Sequence, residues 1–294
     1  MKKILLIITV TGLLFSNNIS GVAYFEFEDS FSLSRTYFTY KTEVSDELSF
    51  KFQTDVGKVG DDNRWTGFLK KAQLDWKCDS NMKISMGMIG LNMLNIQEKT
   101  WGNRFVSKSA MDYYGYSATA DLGIGIYRNF GNISTSLLMT NGEGYINSDV
   151  DDENKLSLRV MMGEKNLNKN EGHNFGLVYS SLEDITVTGL FGGWSKNGLV
   201  IGTEYNVEDN NGAEYSYSSH LSSIYLNYNL KDNISVFLRL DDGDENKDGN
   251  SEKRTLAGLI WMPTDGLDIC INSSSVTDND VTEDTMKLNF QFKF

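Results

Sequence analysis

Apolar side chains fall at every second position in segment after segment of this chain, and that period leaves few folds open. Successive residues of a strand point to opposite faces. In the closing stretch KLNFQFKF, Leu288, Phe290, Phe292 and Phe294 line one face, while Lys287, Asn289, Gln291 and Lys293 line the other. The sequence stops on the last of the four phenylalanine and leucine positions, so that face must be covered by something other than downstream chain.

The same alternation recurs at Leu48-Phe50-Phe52, Met82-Ile84-Met86-Met88, Leu122-Ile124-Ile126, Leu156-Leu158-Val160-Met162, Ile234-Val236-Leu238-Leu240 and Leu267-Ile269-Ile271. Segments of about ten residues with period two are the signature of membrane-spanning barrel strands. No stretch shows a convincing helical period. Short connections (Val44–Asp46, Asp79–Asn81, Asn129–Gly131, Lys196-Asn197, Lys231-Asp232, Thr264–Gly266) alternate with long ones. The long ones are Gly57–Thr66, Leu91–Tyr116, Asn141–Asn154, Glu208–Ser218, Asp241–Lys253 and Thr277–Asp284, with a longer inner turn at Glu164–Gly172. That order suits a barrel with tight periplasmic turns and larger outer loops.

The fold expected is therefore all-β, a transmembrane antiparallel up-and-down β-barrel, with 16 strands counted from Val22–Glu28 and 14 as the alternative. Closing the last strand on the first leaves no unpaired edge in lipid. A soluble sandwich competes, with the apolar face packed on a second sheet. Against it stand the terminal phenylalanine, the alternating connections, and aromatics near strand ends that suit interfacial girdles (Tyr37, Tyr40, Trp76, Tyr127, Tyr179, Tyr205, Tyr228, Trp261).

Composition agrees once the barrel is considered. Hydrophobic residues make up 40% of the chain, a soluble-looking value that a barrel also gives because half of each strand faces water. The only proline, Pro263, falls in a turn, so strands run uninterrupted. A net charge of −13 argues against nucleic acid as a partner. Cys78 and Cys270 lie far apart in the pattern, and no bridge is expected. Lys2 and Lys3, the apolar run Ile4–Phe15 and the small residues Gly21 and Ala23 read as a cleaved export signal over residues 1–23. Residues 24–294 then form a single barrel domain, located in the bacterial outer membrane.

With the apolar set outward, the inward charges follow. Arg35, Lys41, Lys51, Lys71, Lys77, Lys83, Arg159, Arg239, Lys287 and Lys293 face the lumen, against Asp55, Asp75, Asp121, Glu204 and Asp268. This modest basic excess favours anions weakly. The balancing acid sits in outer loops, at Asp149–Glu153 and Asp241–Glu252. Glycines 87, 123, 125 and 202 face inward and leave room for water. Asp244, Asn246 and Asp248 resemble the start of a calcium loop, but Thr255 stands where its closing glutamate belongs, so a solvated acidic loop is expected. Divalent ions bridging such acids to lipopolysaccharide phosphates are a looser version of the same chemistry.

Catalysis and cofactors are not expected. The only histidines are His173, in a periplasmic turn, and His220, near the outside, and neither has a serine motif beside it. The reading is a water-filled porin for passive diffusion of small hydrophilic solutes or ions. The alternative is a barrel serving as a surface adhesin or structural anchor.

The stretches SLSRTYFTYKTEVSDELSFKFQTDVG (Ser32–Gly57), FLKKAQLDWKCDSNMKISMGMIG (Phe68–Gly90) and NIQEKTWGNRFVSKS (Asn95–Ser109) resemble the phosphate-selective porin O and P family. The resemblance implies a trimeric, 16-stranded outer-membrane porin whose third outer loop folds into the lumen. That loop is Leu91–Tyr116 here, with Glu98, Lys99, Arg104 and Lys108 set to place a transverse field across the opening. Phe290, Phe292 and Phe294 resemble the terminal signal read by the outer-membrane assembly machinery. Arg35 matches one position of the family's basic pair, but Ser34 replaces the other, so phosphate specificity does not carry over.

Overall fold

A strand in a closed ring has a hydrogen-bonding neighbour on both sides, and every strand here finds two. The computed structural model describes residues 17–58, 64–147, 152–213, 216–244 and 250–294. In chain order the strands are β1 (Asn17–Phe27), β2 (Phe31–Glu43), β3 (Leu48–Lys58), β4 (Trp65–Lys77), β5 (Met82–Gly90), β6 (Ala120–Phe130), β7 (Ile133–Thr140) and β8 (Lys155–Gly163). They continue as β9 (Gly172–Leu182), β10 (Ile185–Lys196), β11 (Leu199–Asn211), β12 (Ser216–Lys231), β13 (Ile234–Gly243), β14 (Glu252–Thr264), β15 (Leu267–Asp278) and β16 (Val281–Lys293). Each pairs antiparallel with its sequence neighbours, and the sheet is a closed 16-stranded barrel. The alternative count of 14 is set aside.

The ring closes where β1 meets β16, with Val22 opposite Lys293 and Phe27 opposite Leu288. The last residue completes the seam. The Gly21 amide donates to the Phe294 carbonyl at 2.9 Å, and the Phe294 amide donates back at 3.1 Å. The absent side chain lets the Phe294 ring lie over this position, where a Cβ on Gly21 would stand 2.2 Å from it. β1 starts at Asn17, upstream of the expected first strand and inside the stretch 1–23 assigned to the export signal.

Two connections expected to be long are not. β11 and β12 pair out to Asn211 and Ser216, so Glu208–Asn211 continue a strand. The apolar alternation ends near Val207, but the hydrogen-bond ladder runs on without it. Between β15 and β16 only Asn279 and Asp280 turn the chain, with φ of 46° and 64°. Asn and Asp tolerate this left-handed region, which a two-residue hairpin turn requires. Pro263 lies not in a turn but at the end of β14, where the register with β15 shifts between Trp261 and Thr264. The shift spares the ladder a donor it lacks.

The outward face is apolar over much of its height. Phe38, Leu69, Leu122, Ile124, Ile126, Leu137, Leu190, Ile224, Leu240 and Ile271 are all exposed on it. Trp76, Trp194, Tyr228, Trp261 and Phe292 ring the end with the short turns, again exposed. The aromatics Tyr37 and Tyr127 do not join this ring: Tyr37 is buried inside, and the Tyr127 ring sits 4.6 Å from the inward Lys83 Nζ. Their phase, shared with Arg35 and Asp121, already requires this.

The core of the molecule lies inside the barrel. Residues 91–119, between β5 and β6, fold into the lumen and carry two short helices, α1 (Asn95–Trp101) and α2 (Ala110–Tyr113). The sequence reading found no helix here. α1 has only seven residues, its N-cap is Leu94 with no side-chain cap, and two of its four buried residues are the polar Gln97 and Thr100. A turn or two of this kind carries no readable period.

Candidate pore and constriction loop

The inward loop is fastened to one side of the barrel. Met93, Leu94 and Ile96 pack with Met161, Val178, Val187 and Phe191 from β8 to β10. Trp101 and Phe105 pack with Tyr225, Phe237, Leu256 and Ile260 from β12 to β14. Trp101 is the anchor: its ring meets Tyr225 and Phe237 edge-on at 5.4 and 5.6 Å, and the Arg239 guanidinium lies 5.3 Å from its centre. Polar ties run alongside. Trp101 Nε1 donates to the Ser107 carbonyl at 2.9 Å, Asn227 Nδ2 to the Trp101 carbonyl at 2.8 Å, and Arg254 Nη1 to Ser107 Oγ at 3.0 Å.

Small residues in the wall admit this packing. A Cβ on Gly202 would lie 2.3 Å from the Tyr225 ring, and one on Gly193 would lie 2.7 Å from Leu167. Gly202, expected to leave room for water, instead leaves room for an aromatic support of the loop. Leu167 is the one buried residue of the otherwise largely exposed inner turn 164–171.

The opposite side stays open. Three cavities follow one another along β1 to β8. The one toward the long loops, about 360 Å³, is lined by Glu26, Arg35, Arg104, Lys108 and Arg254 among others. The middle one, about 240 Å³, shares Tyr24 and Arg104 with it and adds Tyr37, Lys70, Lys71, Leu91, Leu94 and Glu98. The third, about 520 Å³, shares Lys71, Gly90 and Asn95 with the middle one and opens among Lys77, Lys83, Lys99, Arg159 and Lys165 at the short-turn end. Adjacent members share lining residues, so the three lie in series between the loop and the wall, and this run of cavities is the candidate passage.

The sequence-assigned residues divide by this geometry. Arg35 faces the passage, bonded to the buried Asp55 and, through Nη2, to Tyr145 Oη at 2.7 Å. Lys71 faces it half-buried, Lys83 lies in its lower reach, 3.1 Å from Asp75, and Lys51 is half-buried but lines none of the three cavities. Arg159 is bonded to Asn95 of α1. Lys41 is exposed near the short-turn rim, where Asp268 receives Lys293 at 2.8 Å. Lys287 reaches Glu28 at 2.8 Å.

Besides Asp55, buried beneath Arg35, three more of the expected lining residues are buried and do not meet the passage. Glu204 and Arg239 point inward but are buried beneath the loop, Glu204 receiving Asn206 at 3.0 Å and Arg239 pairing with Asp241 at 2.7 Å. Asp241 is thereby withdrawn from the acidic loop. Asp121 is buried too, its carboxylate receiving the amides of Leu122 and Gly142 at 2.8 and 2.7 Å.

The transverse field expected from the loop is also rearranged. Arg104 lies 3.0 Å from Glu98 and 2.7 Å from Asp112, and Lys108 lies 3.7 Å from Asp112. Burial opposes the Arg104 charge, but Asp112 and then Glu98 hold its pKa above the ordinary value. Lys99 stands apart over the lower cavity, its pKa lowered by burial and by Arg159. Lys99 apart, the loop charges thus neutralise one another, and the other free charges come from the wall.

Lys70 is the residue that sequence reasoning missed. Strict alternation from Lys71 sends it outward. A register shift between Gln53 and Thr54 lets both lysines face inside. Lys70 Nζ donates to Thr119 Oγ1 at 2.8 Å and sits 4.0 Å from the Tyr145 ring centre. The signal was present: the outward series Leu69, Ala72, Leu74, Trp76 takes one step of three, and an outward Lys70 would put a charge on the apolar face. Among the described residues, neither Lys70, Lys71 nor Lys99 has a carboxylate within ion-pair reach.

Asn246 and Asp248 of the calcium-like stretch lie outside the described residues, as do Asp149 and Asp151. Asp244 is buried. His173 and His220 are exposed on opposite ends of the outer wall, on β9 and β12. Cys78 and Cys270 are free thiols.

A closed barrel whose longest connection folds inside to leave a side passage is the fold of the porins. Among solved structures, the chain is similar to an anion-selective porin from Comamonas acidovorans, with 10% identity over 95% of this chain and 100% of that one and a TM-score of 0.70. It is similar to OmpF of Salmonella typhi in complex with daunomycin, with 10% identity over 95% and 97% of the two chains and a TM-score of 0.68. Outer-membrane expressed OmpT of Vibrio cholerae gives 9% identity over 95% and 97%, with a TM-score of 0.67. At such identity the likeness is one of fold. No family model matches the chain, so the resemblance to the phosphate-selective family rests on the stretches quoted from the sequence. No curated protein matches it either.

Proposed function

We propose that the protein is an outer-membrane pore for passive diffusion of small hydrophilic solutes, with a preference for anions. The observation that carries this reading is the series of adjacent cavities between loop and wall, flanked by Lys70, Lys71 and Lys99, none of them paired to a carboxylate among the described residues. Fixed positive charge between low-dielectric walls raises the local concentration of anions. The exposed apolar belt and its aromatic ring suit contact with acyl chains. A barrel that served only as an adhesin or anchor would have no need of such a passage. Assembly as a homotrimer, insertion through the terminal Phe290, Phe292 and Phe294, and contact with lipopolysaccharide belong to the same reading. In planar bilayers under a potassium chloride gradient, the purified protein is expected to give a reversal potential on the chloride side. Absence of conductance, or a clear potassium preference, would refute the reading.

Export fits as well, with the cut moved. Hydrolysis after Ala23 would remove Asn17–Ala23 from β1, and with them the Gly21 bonds that close the ring on Phe294. The mature chain is therefore proposed to retain β1 from Asn17. Intact mass of protein from the outer-membrane fraction tests this; a mass beginning at Tyr24 would restore the longer leader.

A further inference from the structure

We infer that the outer wall carries a binding groove for a phosphorylated glycolipid of the outer leaflet, an inference that rests on the outer-membrane setting of the pore reading. The groove, about 370 Å³, crosses β11 to β14 on the side away from the passage. The strand register sets its side chains in two rows. In the upper row Ser222 stands opposite Asp242, and Asp242 opposite Lys253. One step toward the short turns, Thr203 stands opposite Ile224, Ile224 opposite Leu240, and Leu240 opposite Thr255. All point outward, since the residues that alternate with them, Glu204, Ser223, Asp241 and Arg254, are buried inside. The upper row is polar, and the lower is apolar at its centre.

Charge on a lipid-facing wall is costly at mid-bilayer and tolerated at the interface. Lys253 stands about 20 Å along the barrel axis from Trp261, close to the upper edge of a belt about 25 Å tall. Tyr205, exposed beside Ser222 in the same row, marks that edge. Among the described residues, the side chains of Ser222, Asp242, Lys253 and Thr255 have no hydrogen-bond or ion-pair partner, and Asp242 Oδ1 is shielded from water as well. A phosphorylated disaccharide on acyl chains meets these demands. Its phosphate pairs with Lys253, a sugar hydroxyl donates to Asp242 Oδ1, and other hydroxyls reach Ser222 and Thr255. An acyl chain runs down over the exposed Ile224 and Leu240. The polar side chains span β11 to β14, about 14 Å at the interstrand spacing, which suits two sugars rather than one small head group. A lipid that offers only phosphate leaves the Asp242 carboxylate without a donor.

Native mass spectrometry of the detergent-solubilised barrel tests the inference, with lipid A, phosphatidylethanolamine and phosphatidylglycerol in competition. Lipid A is expected to be held at least about tenfold more tightly than either phospholipid. Lys253→Glu should lower its retention about tenfold, and Lys231→Glu, exposed at the short-turn end, should leave it unchanged. The wild-type competition decides the matter if the Lys253 variant fails to assemble. Equal retention of either phospholipid, or lipid A binding that Lys253→Glu does not weaken, would overturn the inference and leave a chloride-conducting pore standing. A chain that stays monodisperse without detergent would overturn both.

Discussion

With Lys70 and Lys71 both replaced by glutamate, the reversal potential in a potassium chloride gradient should cross from the chloride side to the potassium side. The two lysines flank the middle of the passage, and among the described residues no carboxylate lies within ion-pair reach of either. At an effective dielectric of about 40 and a distance of about 6 Å, one unit of fixed charge changes the energy of a passing ion by about 1.4 kcal/mol. That is about tenfold in relative occupancy, and the double replacement changes the fixed charge by more than one unit. The chloride-to-potassium permeability ratio should therefore fall by at least about tenfold. Lys77→Glu serves as the comparison. Lys77 is exposed at the rim, where salt screens beyond about 8 Å at physiological strength, so its reversal should move the potential little. Equal effects at both places would mean that ions do not pass beside Lys70 and Lys71.

Trp101→Ala should widen the pore. The indole is fully buried and joins Tyr225, Phe237 and Arg239 to the loop. Truncating a buried tryptophan removes about 3–5 kcal/mol of packing. The remaining ties, such as Asn227 to the Trp101 carbonyl, do not replace that much. The loop should then leave its seat for part of the time while the strand ladder stays intact. Larger and noisier single-channel conductance is expected, with ion discrimination falling toward the free-solution value. Trp101→Phe should fall between. Unaltered conductance in a folded Trp101→Ala barrel would mean that the loop is held by its polar contacts alone.

The barrel was legible because lipid and water impose opposite demands on alternate residues, as at Leu122, Ile124 and Ile126. Where that demand stops, legibility stops. Glu208–Asn211 continue β11 past the apolar belt, and nothing in their polarity marks them as strand. The loop was recognised by length and resemblance, but its seat was not. Tyr225, Gly202 and Phe237 come from different strands, and only the closed ring brings them under Trp101. Inward charge could be assigned by phase, yet phase does not distinguish Lys71, which meets the passage, from Arg239, which the loop covers. Lys70 shows how one bulge defeats the count.

The loop's one-sided seat has a practical corollary. Along β8 to β14 the interior is packed against the loop, and the cavities lie along the strands nearest the amino terminus. Heat and denaturant should therefore report on one flank of the cylinder, and electrical recordings on the other. A substitution that lowers the melting point without touching the current belongs to the packed flank, and one that alters the current at an unchanged melting point belongs to the conducting flank.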